Sequence, residues 1–190
     1  MSSGFWARSS SRRKRFITIL LCIVFGIVVT VAGTLTPLSG KETASLNNKI
    51  DQLRASVENE SLVRGALSIF ENNFEIDLIM FIPIAGQVYG SIAFYDSGMA
   101  FNAQSTDPTL SNPYHYSGTT LFVLNFIAPD QTLEFIAYGT AFAASIWLLR
   151  AIINGGAKRE LKRTGIFILI CAGILLTAAF IEQYLILTLG

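Results

Sequence analysis

Histidine, cysteine and charge inside the apolar runs are all scarce in this chain, and each scarcity narrows what it can be. His115 is the one histidine among 190 residues, and no base and nucleophile stand at a recognisable spacing around it. Cys22 and Cys171 both sit in hydrophobic runs; without zinc-type spacing they read as small apolar fillers and report no redox compartment. Charged residues make up 14% of the chain and fall almost entirely between apolar blocks, where a soluble domain would interleave them. The formal net charge of +1 gives no support to a nucleic-acid partner.

What is present is hydrophobicity, 52% of the residues, organised in blocks of membrane-spanning scale. The first block, 16–36, follows Arg12-Arg13-Lys14-Arg15. At about 20 residues it is longer than the h-region of a secretory signal, and Val31-Ala32-Gly33 is a weak cleavage site, so an uncleaved anchor with a cytoplasmic amino terminus is expected. The chain then divides into a basic tail (1–15), this anchor (16–36), an external amphipathic segment (37–76) and a membrane-embedded core (77–190).

The basic linker Ala157-Lys158-Arg159-Glu160-Leu161-Lys162-Arg163 belongs on the cytoplasmic side with the amino terminus by the positive-inside rule. Two cytoplasmic points need an even number of crossings between them. Spans at 16–36, 78–94, 118–128 and 131–153 satisfy this, and a last helix, 164–189, ends outside, giving about five spans. The Tyr95–Ser117 loop, His115 included, is then cytoplasmic although it carries no Lys or Arg. The same parity follows if 78–94, with Pro83 and Gly86, and 118–128 are both re-entrant. The expected fold class is all-α, a polytopic membrane helix bundle, with localisation in the cell membrane.

Within the external segment, Leu46, Ile50, Leu53 and Val57 form one apolar stripe and Val63, Leu67, Phe70 and Phe74 another, both at helical spacing. They lose phase across Glu58-Asn59-Glu60-Ser61, which predicts a turn between two short helices. Either the stripes cover the protein's own spans and the lipid interface, or they dock a partner chain. Asn59-Glu60-Ser61 also fits the N-glycosylation sequon.

The most informative stretch is Pro129-Asp130-Gln131-Thr132-Leu133-Glu134, which interrupts an apolar region with a proline and two acids. Broken backbone and carboxylates survive at membrane depth only where protein or a watery cavity shelters them. At about 1.5 Å rise per residue, Glu134 lies ~7 Å past Pro129 and Glu182 ~10 Å before the end of the last helix, so the two carboxylates are expected to face each other near one membrane surface. Asn72, Asn73 and Asp77 enter from that side, and Asp130, Gln131 and Gln183 complete a candidate polar cluster. Asp96 is expected at the opposite face. Three readings follow: fastening of helices, ion or solute handling, and intramembrane acid–base catalysis. A divalent metal on Glu134, Glu182 and Asp130 is conceivable, but their spacing does not demand one. Tyr114, Tyr116, Tyr138, Trp147 and Tyr184 read as interfacial or packing aromatics. Gly86 and Gly90 form Gly-x-x-x-Gly, a close-packing surface within or between protomers.

In order and spacing these residues resemble the stage II sporulation protein M family of integral membrane proteins. The resemblance runs from about Ile69 to Leu185. It rests on Ile69-Phe70-Glu71-Asn72-Asn73, the span with Gly86 and Gly90, and Tyr95-Asp96-Ser97-Gly98. It rests also on Pro129 with Glu134 and Ala137, and on Ala178-Ala179-Phe180-Ile181-Glu182. Asp130 and Gln131 stand where the family usually has His and Gly, and Asp96 replaces a common Asn. The resemblance implies a multi-span membrane protein with no established cofactor; in spore formers such proteins are structural partners of a cell-wall-degrading complex. The short length is similar to archaeal members. The expectation is a non-enzymatic scaffold or complex subunit without cofactors. Its partners would be the lipid bilayer and other membrane proteins, or its own copies through Gly86 and Gly90 or the 42–75 helices. The alternatives are a small-solute, ion or proton transport component and an intramembrane hydrolase.

Overall fold

A computed structural model describes residues 11–106 and 115–189; Tyr114 and the tail up to residue 10 lie outside the described residues. Among these there are seven helices and no strand: α1 (Ser11–Thr34), α2 (Gly40–Glu58), α3 (Leu62–Met80), α4 (Ala85–Ser105), α5 (Gly118–Ile127), α6 (Pro129–Ile153) and α7 (Ala157–Leu189). Three of them are long and apolar enough to cross a membrane, over Arg12–Thr34, Pro129–Ile153 and Ala157–Thr188. Their outward residues are themselves apolar, such as Leu21 and Val28 on α1 and Ile166 and Leu169 on α7, as lipid-facing surfaces require.

Local chemistry sets the helix boundaries. Ser39 caps α2 in a reciprocal box with Glu42, satisfying otherwise orphaned N–H groups. The Ser39 hydroxyl donates to the Glu42 carboxylate at 2.6 Å and its backbone N–H at 2.8 Å; these bonds hold that carboxyl below its ordinary range. Asn59 is the carboxyl-terminal cap of α2, and Ser61 caps α3 by accepting from Arg64 N–H, so the expected turn falls where the two stripes lose phase. Ser117 caps α5, and Pro129 opens α6, where its missing N–H costs nothing.

The stretch 78–94 is not one span. It is divided between the end of α3 and the start of α4, and the chain reverses over Phe81–Ile84. Ala85 N–H donates to the Pro83 carbonyl at 2.8 Å, and Ile84 sits at φ 67, ψ −60, the strained form of the three-residue γ-turn. Gly86 follows because a Cβ there would fall on the Met80 carbonyl oxygen. The reversal lies toward the basic end of the bundle: Gln87 donates to Ser145 Oγ at 2.9 Å, roughly 24 Å along α6 from Pro129.

Two ends of the bundle can be distinguished. At the basic end, Arg15 of α1 meets Glu160 of α7. At the far end, Thr34 shares a hydrogen bond with Thr119 at 2.7 Å, Asn102 donates to the Thr36 carbonyl at 2.7 Å, and Tyr95 and Thr36 pair through their hydroxyls at 2.6 Å. This corrects the placement of Tyr95–Ser117. Its described residues, with Asp96 and His115, belong to the α1 carboxyl end, opposite the basic end. The α5 segment does not cross either, since Thr119 meets Thr34 at one of its ends and Ala128, at the other, leads into α6 antiparallel to α1. That pairing is fixed by Ile23 against Gly139 and Arg15 against Trp147.

The core is aromatic and small. Phe94, Phe122, Phe126 and Phe135 cluster with ring-centroid separations of 5.2–5.8 Å in stacked, tilted and edge-on pairs, beside Ala137, Ala141, Ala143 and Ala144 of α6. α1 and α4 touch backbone to backbone: a Cβ on Gly98 would fall on the Thr30 carbonyl oxygen, and one on Gly33 on the Tyr95 carbonyl oxygen. Such close approach replaces the hydrophobic drive that is missing in lipid. Gly98→Ala is therefore expected to lower thermal stability in detergent by about 1–3 kcal/mol, whereas Gly173→Ala, with open space around it, should leave the melting temperature within a degree or two. Equal effects of the two would contradict this packing.

Candidate functional site

The polar groups converge where α5 stops and α6 starts. Ala128 is extended, with φ −63 and ψ 137, as expected of a residue before proline. The gap between the helices is bridged by Thr132, whose hydroxyl donates to the Phe126 carbonyl at 2.6 Å and whose N–H reaches the Ala128 carbonyl at 3.1 Å. Asp130, in the first turn of α6, is buried, and its Oδ1 has no hydrogen-bond partner among the described residues.

One turn further, Glu134 is buried and engaged on both oxygens. Asn73 of α3 donates to Oε1 at 2.6 Å and Gln131 to Oε2 at 3.1 Å. The Asn73 bond ties α3 to α6, while Gln131 holds the second oxygen from the same helix. Glu182 of α7 lines the same cavity, which occupies about 490 Å³ and is bordered also by Asn72, Asn125 and Gln104. Ile50, Leu53 and Val57 of α2 face this cavity, so the first amphipathic stripe lies over the chain's own polar site. A second cavity of about 270 Å³ reaches Tyr138, Met80 and Phe94. Asn72, Asn73, Gln131 and Glu134 border both cavities.

The remaining residues of the expected cluster are elsewhere. Asp77 is wholly buried one turn below Asn73, borders neither cavity, and has no hydrogen-bond partner for either oxygen among the described residues. Gln183 is also fully buried, but its amide donates to the Val57 carbonyl at 2.9 Å and pins the α2–α3 turn onto α7. Gly86 meets Met80 and Gly90 meets Phe142. The chain itself fills the surface that the Gly-x-x-x-Gly pattern offered to a second copy. Among the aromatics, Trp147 lies beneath the guanidinium of Arg15, at 4.7 Å, Tyr138 packs edge-on to Phe94, and Tyr116 and Tyr184 are exposed. No three His, Cys, Asp or Glu side chains converge as metal ligands among the described residues.

Two pairs escaped the sequence reading. Gln87 with Ser145 has no local signature, because partners 58 positions apart are joined only by the fold. Arg15 with Glu160 did leave one: Glu160 is the lone acid in the basic linker 157–163. Its oxygens accept from both Arg15 nitrogens, at 2.5 and 2.7 Å.

An all-helical chain with three helices of spanning length, apolar surfaces outside and carboxylates and amides turned inward is an integral membrane protein of the helical class. Within that class it belongs to the stage II sporulation protein M family, whose sequence model matches residues 16–185. The match takes in α1 and α2 as well as the region from Ile69 onward. No curated protein and no solved structure matches the chain.

The Gln183 contact is testable. Gln183→Leu removes the donor to the Val57 carbonyl and should cost about 1–3 kcal/mol. Limited proteolysis in detergent is expected to cut the α2–α3 turn faster in this variant while the α6–α7 pairing persists; an unchanged cleavage rate would contradict the anchoring role.

Proposed function

We propose that this chain is a non-enzymatic assembly subunit, built to hold a fixed arrangement of helices in the membrane and to present α2 and the start of α3 outside it. The observation that carries this reading is the state of Glu134: both oxygens of this buried group accept from amides of the chain itself, one of them Asn73 of α3, so it is engaged in joining α3 to α6. The exposed face of α2, with Lys41, Lys49 and Asp51 pointing away from the bundle, is the surface offered to partner proteins.

The topology that goes with it places the basic end in the cytoplasm by the positive-inside rule. α1, α3, α4, α6 and α7 cross, and the carboxyl terminus is external. α3 and α4 are too polar to be stable against lipid on all sides. They are supported here by α1, α6 and α7, as the Gln87–Ser145 bond illustrates. Cysteines introduced at Ile82 and Tyr116 should react with an impermeant maleimide from opposite sides of the membrane. Labelling of both from one side would contradict this topology.

A second reading, a small-solute or cation transport component, is favoured by the 490 Å³ cavity, where Glu182 accompanies Glu134 beside several amides. Glu134→Gln separates the two. An amide at this position keeps an acceptor, and Asn73 or Gln131 can turn to suit it. The assembly reading predicts a melting temperature within about 1 kcal/mol of wild type and unchanged recovery of copurifying membrane proteins, with Glu134→Ala losing both. Loss of a solute or proton flux in liposomes by a folded Glu134→Gln protein would establish the transport reading in its place.

A further inference from the structure

A cavity of about 340 Å³ opens between α1 and α7 at the basic end, walled by Arg12, Arg15 and Arg163 and floored by Ile166 and Phe167. Three guanidiniums line it, and one carboxylate, Glu160, pairs with two of them. Glu160 binds Arg15 through both nitrogens and Arg163 at 3.4 Å, whereas Arg12 has no carboxylate in ion-pairing range among the described residues. The local balance is +2. Arg15 is also held over the Trp147 ring, so it is the fixed member of the set. Arg12 and Arg163 are the more exposed ones, with Arg163 retaining 41% of its side-chain exposure.

The apolar surface that continues from this cavity identifies its occupant. Ile166, Leu169 and Ile170 on α7, and Phe16 and Leu20 on α1, are exposed apolar side chains running from the arginines along the two helices. A free anion would use the guanidiniums and leave that strip bare. A phosphodiester with acyl chains would use both. We propose that this cavity binds the headgroup phosphate of an anionic phospholipid, with Arg12 and Arg163 as its principal donors and the acyl chains laid along the α1–α7 strip. Guanidiniums suit phosphate oxygens because they donate two parallel hydrogen bonds, and basic pockets between membrane helices are a recognised seat for anionic headgroups. The inference does not depend on the assembly or transport reading, since the site lies at the opposite end of the bundle from Glu134.

The test uses the full chain in mild detergent, titrated with phosphatidylglycerol or phosphatidylcholine and followed by native mass spectrometry and thermal shift. Wild type should retain phosphatidylglycerol in preference to phosphatidylcholine. Arg12→Gln and Arg163→Gln should each reduce that preference about fivefold, with the Arg15–Glu160 pair and helix content intact. Arg13→Gln removes the same charge from the same tail, outside the cavity lining, and should have clearly less effect. Equal retention of the two lipids by wild type would overturn the proposal, as would an Arg13→Gln effect as large as that of Arg12→Gln, which would mean diffuse surface charge. Displacement of the lipid by millimolar inorganic phosphate would overturn it in favour of a free-anion site. Should Arg163→Gln fail to fold, the exposed Arg12→Gln decides between these outcomes alone.

Discussion

The hydrogen bonds from Asn73 and Gln131 to Glu134 are the interaction on which this structure depends. They let a polar, interrupted region exist inside a bundle whose outer surface is apolar. A proline-made gap leaves backbone groups that lipid cannot satisfy. Thr132 serves the carbonyls of the gap, and Glu134 draws α3 against α6 beside it. With α3 held there, its amides Asn72 and Asn73 border both cavities. α4 can then return along α1 in backbone contact at Gly98 and Gly33.

The two ends of the molecule do different work. At the far end, Asn102 and Gln183 bond the backbone of neighbouring segments, while the serine caps close their own short helices. At the basic end, one carboxylate among many cations fixes the relative position of α1 and α7 and leaves arginines over for an anion. The family match from residue 16 is consistent with this reading of α1 as part of the bundle, since Ile23, Gly26, Thr30 and Gly33 all lie against other helices.

Much of this was legible in the residues. α1, α6 and α7 are continuous apolar runs flanked by charge, and composition alone marks them. The α2–α3 turn showed in the phase of two stripes, and the break at Pro129 in the proline itself. The α3–α4 boundary was obscured because 78–94 carries no charge and is mostly apolar, while α3 carries Glu71, Glu75 and Asp77 and so looks unlike a bundle helix. Pro83 and Gly86 marked the place of the reversal, but its tightness depends on Gly86 resting on the Met80 carbonyl. In the polar cluster, helical spacing brought Glu134, Asn72, Asn73, Gln131 and Glu182 to a common locus. It could not distinguish Glu182, which lines the cavity, from its neighbour Gln183, whose amide is taken up by the Val57 carbonyl. Nor could it show that Asp77 is buried without bordering either cavity.

The central claim is that Asn73 and Glu134 act as one unit joining α3 to α6, and a double-mutant cycle measures this directly. Unfolding of wild type, Asn73→Ala, Glu134→Ala and the double variant would be followed in the same detergent. The account predicts a coupling of at least about 0.6 kcal/mol, the average of such cycles for side-chain hydrogen bonds between membrane helices, and at most about 1.7 kcal/mol, with the double variant less destabilised than the two single losses combined. Strict additivity of the two substitutions would contradict it.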